Sequence, residues 1–400
     1  MKELQGKTII LGVTGSISAF KAVGLASRLT QAGACVEVIA TQNALKLATT
    51  AAFEGVTHRK CHTDTFAEAY DLSVSHVTLG TSADLVLIAP ASADIIAKIA
   101  HGIADDKLST TMLAVQCPVL IAPAMNCYMF ENPAVQENLR LLQRRGMEII
   151  DPAYGNLACG YSGKGRMPDP EQLLEICAAK LGNHTCLKGK HILVTAGPTR
   201  EYIDAVRYIS NPSTGKMGFA CARAAERAGA KVTLIAGPCA LPTPYGVERI
   251  DIVSAKDMEC AVANVIDACD AVIMAAAVSD FRPKTTSKQK IHKTDASSHI
   301  ELEPTTDILA KLGSRPNKPF LCGFCMETDD LLARAKEKRL QKNADMIVAN
   351  SLSEEGAGFA CDTNIVTILT QNETLHIDKS SKEEIATRII DFISSKITNM

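Results

Sequence analysis

The same βαβ pattern occurs twice in this chain, once near the start and once near the middle. In residues 7–41 an apolar run is followed by a glycine- and serine-rich turn, a helical stretch and a second apolar run, and residues 190–237 repeat this order. Such an order is typical of a parallel βαβ unit, because parallel neighbours need a crossover connection. The repetition predicts that a second parallel sheet begins near residue 190.

Chain length supports this division. A single hydrophobic core stops growing at roughly 250 to 300 residues, whereas this chain has 400. Further apolar runs indicate additional buried strands at 83–90, 117–125, 271–278 and 344–350. We therefore predict an α/β protein of two Rossmann-like, doubly wound parallel-sheet domains in series, covering residues 1–188 and 189–400.

Composition excludes several classes of partner. A formal net charge of -2 provides no positive field for a nucleic acid backbone. Residues 1–11 lead directly into a predicted strand without the pattern of a signal peptide, and no apolar run reaches membrane-spanning length. The 14 cysteines are scattered through apolar segments, which is typical of reduced thiols. The sequence predicts a cytoplasmic protein without nucleic acid or membrane partners.

The turn after the first predicted strand carries Gly15, Ser16 and Ser18 directly before a helix. Free N–H groups at a helix N-terminus bind phosphate well. Neither half contains the GxGxxG fingerprint, and the Gly-Lys pair at 215–216 lacks the Ser or Thr that a P-loop needs next. The pattern favours a mononucleotide such as FMN, although such a turn is also an ordinary strand-to-helix connection.

Four further segments follow in order, SHVTL at 75–79, APASAD at 89–94, PAMNCYMF at 123–130 and ACGYSGKGRM at 158–167. With the first loop they resemble the flavin-dependent cysteine decarboxylase family over residues 7–180. The resemblance implies that FMN is bound by the first loop and by Ser92. It further implies His76 as active-site base or orienting group, Asn126 as the residue that holds the substrate carboxylate, and Cys159 as a late proton donor.

These residue types suit the implied chemistry. Loss of carbon dioxide from an ordinary cysteine carboxylate would leave an unstabilised carbanion, so an electron sink is required. A flavin supplies one by removing a hydride from the thiol-bearing carbon. A cysteine on a closing flap can then donate a proton, which makes the net reaction redox-neutral. Asp94 and Phe130 stand where many family members have Asn and Trp, and neither change removes a reacting group.

The second half inserts a long polar loop, residues 195–218, where a βαβ turn needs only a few residues. Four later segments are AAAVSDFRP at 275–283, KQKIHK at 288–293, GF at 323–324 and KRLQKNAD at 338–345. Together they resemble phosphopantothenate:cysteine ligase over residues 190–395. A ligase of this type placed behind a decarboxylase domain resembles the bacterial fusion that uses CTP.

The resemblance implies that the carboxylate of phosphopantothenate attacks the α-phosphorus of CTP, giving an acyl-cytidylate and pyrophosphate, and that the amine of cysteine then displaces CMP. Asn211 and Lys290 are the implied catalytic residues, Asn211 also binds substrate, and Arg207 is a candidate for the substrate phosphate. Mg²⁺ would spread the phosphate charge, with Asp280 as a candidate ligand. The implied CTP-binding residues are Ala275, Ala276, Asp280, Lys290, Asp307, Phe324, Lys338 and Lys342.

We therefore expect a bifunctional enzyme of coenzyme A biosynthesis that uses FMN, CTP and Mg²⁺. Two alternatives stay open, a related flavoprotein decarboxylase or prenyltransferase with another substrate, and an FMN-binding regulatory subunit. The His at position 292 lies in a cluster that is often all Lys, which lowers the local positive charge. The resemblance also implies a homo-oligomer with trimeric contacts in the first domain and dimeric contacts in the second, up to a dodecamer.

Overall fold

The computed structural model describes residues 2–66, 75–156, 160, 162–182, 185–292, 299–327, 330–351 and 361–398. The chain forms two compact units, residues 1–182 and 183–400, each described by itself below. Each unit is built on a largely parallel sheet with helices packed against it. The predicted fold class is confirmed.

The first unit opens with a short 3-10 helix, Lys2–Leu4. Its strands are β1 (Thr8–Val13), β2 (Cys35–Ala40), β3 (Leu85–Ala91), β4 (Val119–Pro123), β5 (Glu148–Ile149), β6 (Ala153–Asn156) and β7 (Ser162–Arg166). Its helices are α1 (Ala19–Gln31), α2 (Thr50–Thr57), α3 (Ser75–Ser82), α4 (Ala93–His101), α5 (Lys107–Met112), α6 (Cys127–Glu131), α7 (Pro133–Arg144) and α8 (Pro170–Leu181).

Strands β1 to β5 form one parallel sheet in the order β2-β1-β3-β4-β5. This is the flavodoxin-like order, in which the chain reverses its direction of winding between β1 and β3. Ile10 and Ile88 belong to the core formed with α4 and α7, while α1 packs against β2 and α8. A crevice therefore opens beyond the carboxyl ends of β1 and β3, where ligands of such sheets bind.

The second unit contains an additional 3-10 helix, Ile266–Ala268. Its strands are β8 (His191–Ala196), β9 (Arg200–Tyr202), β10 (Tyr208–Ser210), β11 (Lys231–Ala236), β12 (Val247–Asp251), β13 (Ala271–Met274), β14 (Phe281–Pro283), β15 (Leu302–Pro304), β16 (Phe320–Glu327), β17 (Met346–Ser351), β18 (Thr363–Leu369) and β19 (Thr374–Ser381). Its helices are α9 (Lys216–Arg227), α10 (Ala255–Val265), α11 (Ile308–Gly313), α12 (Leu331–Gln341) and α13 (Lys382–Ile397). No helix in the described part of either unit combines the length and apolar character that crossing a membrane requires.

The main sheet of this unit has the order β12-β11-β8-β13-β16-β17-β18-β19. It is parallel from β12 to β17, and β18 and β19 join antiparallel. The six parallel strands have the classical Rossmann order, with its reversal between β8 and β13. Val194 belongs to the core that contains α9 and α13, and Leu193 to the core that contains α10 and α11. This alternation places helices on both faces of the sheet.

Gly218, in the first turn of α9, lets that helix lie directly on β8. A Cβ atom at this position would fall 2.5 Å from the Cβ of Ala196 and 2.8 Å from the carbonyl oxygen of Thr195. Neither neighbour can move without shifting the strand backbone. Because Gly218 has no side chain, the start of α9 can lie directly against the end of β8.

We predict that Gly218→Ala destabilises the second unit by about 1 to 3 kcal/mol, the usual cost of overpacking a filled site. Calorimetric unfolding of the full chain is the measurement. The matched control is Gly24→Ala in α1, where an added Cβ meets nothing within 4 Å and better helix propensity is expected to stabilise by about 0.5 to 1 kcal/mol. Equal effects of the two substitutions would contradict the close approach of α9 to β8.

Candidate functional sites

The loop that follows β1 holds the glycine and serines predicted to contact FMN. At Gly15 a Cβ atom would lie 2.5 Å from the Cβ of Asn43, so the loop passes close to this neighbouring segment. Ser18 precedes α1 without capping it through its side chain. The start of α1 therefore faces the crevice between β1 and β3 with its partial positive charge, which suits a phosphate monoester.

A buried threonine that sequence reasoning missed ties this loop to the next strand. The Thr14 hydroxyl donates to the carbonyl oxygen of Pro90 at 2.7 Å and accepts from the N–H of Ser92 at 2.9 Å. The side chain of Ser92 accepts from the N–H of Ile95 and so begins α4. Thr14 therefore joins the carboxyl ends of β1 and β3. The available signal was a polar residue directly after an apolar strand.

Asn126 begins α6 just beyond the carboxyl end of β4, the next strand of the sheet. Its Oδ1 accepts from the N–H of Tyr128 at 2.9 Å. The preceding N–H, of Met125, donates to the carbonyl oxygen of Gly165 at 3.0 Å. Because Gly165 belongs to β7, the antiparallel ribbon of β6 and β7 is attached beside Asn126.

His76 and Cys159 were predicted as the acid–base residues. His76 is partly buried in the first turn of α3. A helix that leads into a parallel strand runs against it, so its first turn lies toward the carboxyl edge of the sheet. Cys159 lies outside the described residues, in the connection between β6 and β7. The loops after β1, β3 and β4 and the start of α3 thus belong to one edge of the sheet.

The two departures from the family pattern lie near this edge, with Asp94 exposed and Phe130 partly buried against the core. Asp94 is in the first turn of α4, and its carboxylate lies 3.5 Å from the ammonium of Lys98. The Phe130 ring, in α6, has the ammonium of Lys164 at 6.0 Å from its centroid. Phe130 therefore adds an aromatic contact between α6 and the β6–β7 ribbon.

The second unit has a pocket of about 540 Å³ at the carboxyl edge of its main sheet. The loop before α9, the segment after β13, the start of α11, β16 and α12 all contribute to its wall. The residues predicted from the sequence that line it are Asn211, Ala275, Ala276, Asp280, Asp307, Phe324, Lys338 and Lys342. These residues are widely separated along the chain, and the fold brings them together.

Backbone carbonyls fix the position of Asn211 in this pocket. Its Nδ2 group lies 3.2 Å from the carbonyl oxygens of both Ala277 and Val278 and donates to them. On α12, the Lys338 ammonium donates to the carbonyl oxygen of Phe324 at 3.1 Å. The pocket thus has an amide held at one side and a lysine anchored at another, both next to the strand ends.

Asp307 and Lys342 form an ion pair across the pocket, with 2.5 Å between Oδ2 and Nζ. Asp307 also begins α11 by accepting from the N–H of Ala310 at 2.9 Å. Burial raises the pKa of the Asp307 carboxyl, but the hydrogen bond from Lys342 and the one from Ala310 outweigh it, so the pKa is lower than usual. Asp307 is therefore held as a carboxylate beside a cation.

Two other predicted residues of the second domain, Lys290 and Arg207, do not line this pocket. Arg207 is ion-paired with the carboxylate of Asp204 and donates to the carbonyl oxygen of Ile291 at 2.8 Å. The N–H of Ile291 in turn donates to Asp204 at 3.2 Å. Arg207 thus fastens the loop that carries Lys290, while Lys293 of the same cluster lies outside the described residues.

Sequence reasoning missed several polar residues of the pocket wall, among them Ser279, Asn350, Asn364 and Lys382. The signal for Asn350 was a polar residue at the end of an apolar strand, ADMIVAN. Within the described ranges, no group of three or more His, Cys, Asp or Glu could hold a metal ion. The carboxylates of Asp280 and Asp307 in the pocket wall fit a Mg²⁺ ion that takes its other ligands from phosphates and water.

Comparison with known proteins places this chain among two-domain flavoproteins. The family model "Flavoprotein" matches residues 1–182, and "DNA/pantothenate metabolism flavoprotein C-terminal domain" matches residues 187–397. The coenzyme A biosynthesis bifunctional protein of Bacillus subtilis (strain 168) is 47% identical over 368 residues, 91% of each chain. The proteins of the same description from Vibrio parahaemolyticus and Escherichia coli K12 are 43% and 40% identical, each over 98% of both chains.

Solved structures give further similarities. The crystal structure of the C-terminal domain of a coenzyme A biosynthesis bifunctional protein is 41% identical, with a TM-score of 0.47, over 54% of this chain and 99% of that chain. An FMN-dependent cysteine decarboxylase is 32% identical, with a TM-score of 0.39, over 45% of this chain and 97% of that chain.

Two α/β units, matched respectively by a flavoprotein family and by a pantothenate metabolism family, define a bifunctional flavoprotein. The chain belongs to the family of the coenzyme A biosynthesis bifunctional proteins. The family and the bifunctional role in coenzyme A biosynthesis that the sequence predicted are confirmed.

The Asp307–Lys342 pair predicts a pH-dependent contribution to stability. Because the folded pKa of Asp307 lies below its ordinary value of 3.8, the stabilisation is present above that pH and is lost as the pH falls through the folded pKa. The Asp307 side chain is 48% exposed, so solvent screening limits the effect of Asp307→Asn at pH 7 to about 0.5 kcal/mol. Urea unfolding should show this difference at pH 7 and a smaller one at pH 3, which lies below the ordinary pKa of 3.8.

Asp391→Asn is the control for this experiment. Asp391 is exposed on α13 and has no ion-pair partner within the described part of the chain. We expect its substitution to change the free energy of unfolding little at either pH. A loss for Asp307→Asn of equal size at both values would contradict the assigned ion pair.

Proposed function

We propose that residues 1–188 are an FMN-dependent phosphopantothenoylcysteine decarboxylase and that residues 189–400 are a CTP-dependent phosphopantothenate–cysteine ligase. The observation that carries the proposal is the second-unit pocket, which gathers all the predicted nucleotide-binding residues except Lys290 from distant segments. The division into compact units at residue 182 supports a boundary near residue 188. The ligase acts first in the pathway, although its domain is second in the chain.

The first domain has a site that suits FMN. Its strand order reverses between β1 and β3, the position at which flavodoxin, a sheet of the same order, binds FMN. The loop of Gly15, Ser16 and Ser18 and the start of α1 would hold the phosphate, and Ser92 follows the adjacent strand. FMN bound there would supply a reversible hydride acceptor for the thiol-bearing carbon, and with it the electron sink that decarboxylation requires.

Side chains of this domain would bind the substrate and transfer its protons. The Asn126 amide is oriented by the hydrogen bond that its Oδ1 accepts from Tyr128, so its Nδ2 group is the donor for the substrate carboxylate. His76 accepts or positions the thiol proton. The β6–β7 ribbon is attached beside Asn126 through Gly165, and Cys159, which lies between these two strands in the sequence, would donate the final proton.

We expect His76→Asn to lower the rate of carbon dioxide release from phosphopantothenoylcysteine by about 100-fold or more, because general acid–base catalysis typically contributes that much. The absorbance of bound FMN should be retained, since His76 is not among the residues proposed to hold its phosphate. The control is His101→Asn at the C-terminal end of α4, where the His101 ring contacts the side chain of Asn138. An unchanged rate in His76→Asn would refute the role assigned to His76, whereas a wild-type chain that binds FMN but releases no carbon dioxide would favour a regulatory subunit.

In the second domain the pocket provides each group that carboxylate activation requires. Lys338 and Lys342 on α12 offer positive charge for the triphosphate, and Phe324 offers an apolar ring face for the base. Mg²⁺ bound by Asp280 and the phosphates would spread charge on the α-phosphorus as the carboxylate attacks. Asn211, held by two carbonyls, is positioned for the acyl-cytidylate and for the amine that displaces CMP.

Lys290 is proposed to stabilise the developing phosphate charge. It lies on the loop that Arg207 and Asp204 hold in place, outside the walls of the pocket. Its role therefore requires that this loop approaches the bound nucleotide, and the pairing of Arg207 with Asp204 makes loop positioning the more direct assignment for Arg207.

We expect Lys290→Gln to reduce pyrophosphate release from CTP by about 100-fold or more, the scale of losing a preorganised charge. Carbon dioxide release from phosphopantothenoylcysteine should stay at the wild-type rate, because the two reactions use separate domains. Lys284→Gln, which removes an exposed lysine paired with Glu301, is the control. Equal loss of both activities would refute separate sites, and full activity with ATP in place of CTP would refute the nucleotide assignment.

The predicted homo-oligomer is part of the proposal. Ile17 and Phe20, beside the proposed FMN loop, are 64% and 62% exposed. In the second unit Val206 and Phe281 are also more than half exposed, next to the antiparallel ribbons. Large apolar side chains exposed in groups are typical of protein interfaces. These faces support an oligomer, and the trimeric arrangement of the first domain and the dimeric one of the second are what the family resemblance implies.

A further inference from the structure

A buried threonine of the first unit lies between the two segments that are proposed to hold FMN. Thr14 directly follows β1 and is 1% exposed. Its hydroxyl donates to the carbonyl oxygen of Pro90 at 2.7 Å and accepts from the N–H of Ser92 at 2.9 Å. We call this pair of hydrogen bonds the Thr14 bridge. It joins the start of the loop after β1 to the end of β3.

The Thr14 bridge begins where the backbone pairing of the two central strands stops. The registered pairs between β1 and β3 end with Gly12 and Ile88. Pro90, two residues further along, has no N–H with which to extend a ladder. The hydroxyl of Thr14 therefore takes the place of a backbone hydrogen bond at this edge of the sheet.

Backbone groups beside the bridge bond outward, to the flanking strands. The carbonyl oxygen of Val13 accepts from the N–H of Thr41, which follows β2, at 3.0 Å. The carbonyl oxygen of Ala91 accepts from the N–H of Ala124, which follows β4, at 2.9 Å. With the Thr14 bridge between them, these bonds link the ends of β2, β1, β3 and β4 in one row. The bridge is the link between the two central members of that row.

Two helices begin on either side of the bridge. Ser18 precedes α1, and Ser92 begins α4 by accepting from the N–H of Ile95. Each helix start carries a partial positive charge and N–H groups that a ligand can use. A ligand that contacts both segments at once must match the distance between them. A bond that fixes this distance before binding lowers the free-energy cost of binding.

We propose that Thr14 is a positioning residue for FMN, which holds the loop of Gly15 and Ser16 in register with the Ser92 segment so that one flavin contacts both. This inference rests on the proposed decarboxylase function and adds to it a residue that acts through its neighbours. Without the hydroxyl, the Ser92 N–H and the Pro90 carbonyl would be buried without this partner, and the two segments would shift to regain hydrogen bonds.

The test is a fluorescence titration of the full chain, freed of bound flavin, with FMN and separately with riboflavin. Thr14→Val removes the hydroxyl at nearly the same volume. We expect it to weaken FMN by about ten-fold or more, the scale of leaving buried polar groups unpaired. Riboflavin should be weakened less, because it lacks the phosphate and engages fewer groups of the loop. Thr14→Ser retains the hydroxyl and should restore the affinity for FMN.

Thr57→Val is the matched control. Thr57, at the C-terminal end of α2, is 5% exposed, and its hydroxyl also joins two backbone groups. It donates to the carbonyl oxygen of Phe53 at 2.9 Å and accepts from the N–H of Arg59 at 3.3 Å. Thr57→Val should lower the melting temperature, as Thr14→Val does, but keep the wild-type affinity for FMN.

Three results would overturn the inference: wild-type affinity of Thr14→Val for FMN, equal weakening by Thr57→Val, or loss of FMN and riboflavin by the same factor. If circular dichroism shows that Thr14→Val does not fold, Thr14→Cys takes its place under the same criteria, since a thiol of similar size is a weak hydrogen-bonding group. A wild-type chain that binds no FMN would refute the proposed decarboxylase itself. A wild-type chain and a Thr14→Val chain that bind FMN equally would refute only the role of Thr14.

Discussion

The parallel pairing of strands is the constraint on which both units depend. Strands that run in one direction end at one edge, and the chain must leave each strand there through a loop that enters a helix. This edge therefore collects loops and helix starts, which provide N–H groups and polar side chains next to an apolar sheet. Thr14 fastens two such loops in the first unit, and Gly218 brings α9 against a strand end in the second.

The two units use this edge differently. In the first, the loops after β1, β3 and β4 lie side by side, and the β6–β7 ribbon is attached to the last of them through Met125 and Gly165. In the second, the edge is enclosed as a pocket whose wall comes from both faces of the sheet. Buried lysines and amides become tolerable there because carbonyls, carboxylates and a bound ligand can satisfy them. The proposed redox step and the proposed phosphate-dependent step would thereby take place on separate sheets.

Local sequence was sufficient wherever a function depends on adjacent residues. The turn at Gly15 and the Asn126 segment were both recognisable because strand, turn and helix follow one another directly. Asn350 and Lys382 were not found, because each is an ordinary polar residue in its own segment. Their place in the site becomes apparent only in the fold, which brings β17 and the start of α13 to the wall of one pocket. Arg207, predicted to bind the substrate phosphate, also pairs with Asp204 and donates to a backbone carbonyl, and its local sequence did not reveal these contacts.

The sequence by itself determined that there are two largely parallel α/β sheets and which segments follow the strand ends, because apolar periodicity and turn residues act over short distances. The order of its motifs also indicated the family. Tertiary structure alone decided which of those segments share a pocket. Strand order sets that choice, and strand order depends on crossovers and side-chain packing between distant parts of the chain. Asn350 and Lys216 line one pocket for that reason, although more than a hundred residues separate them.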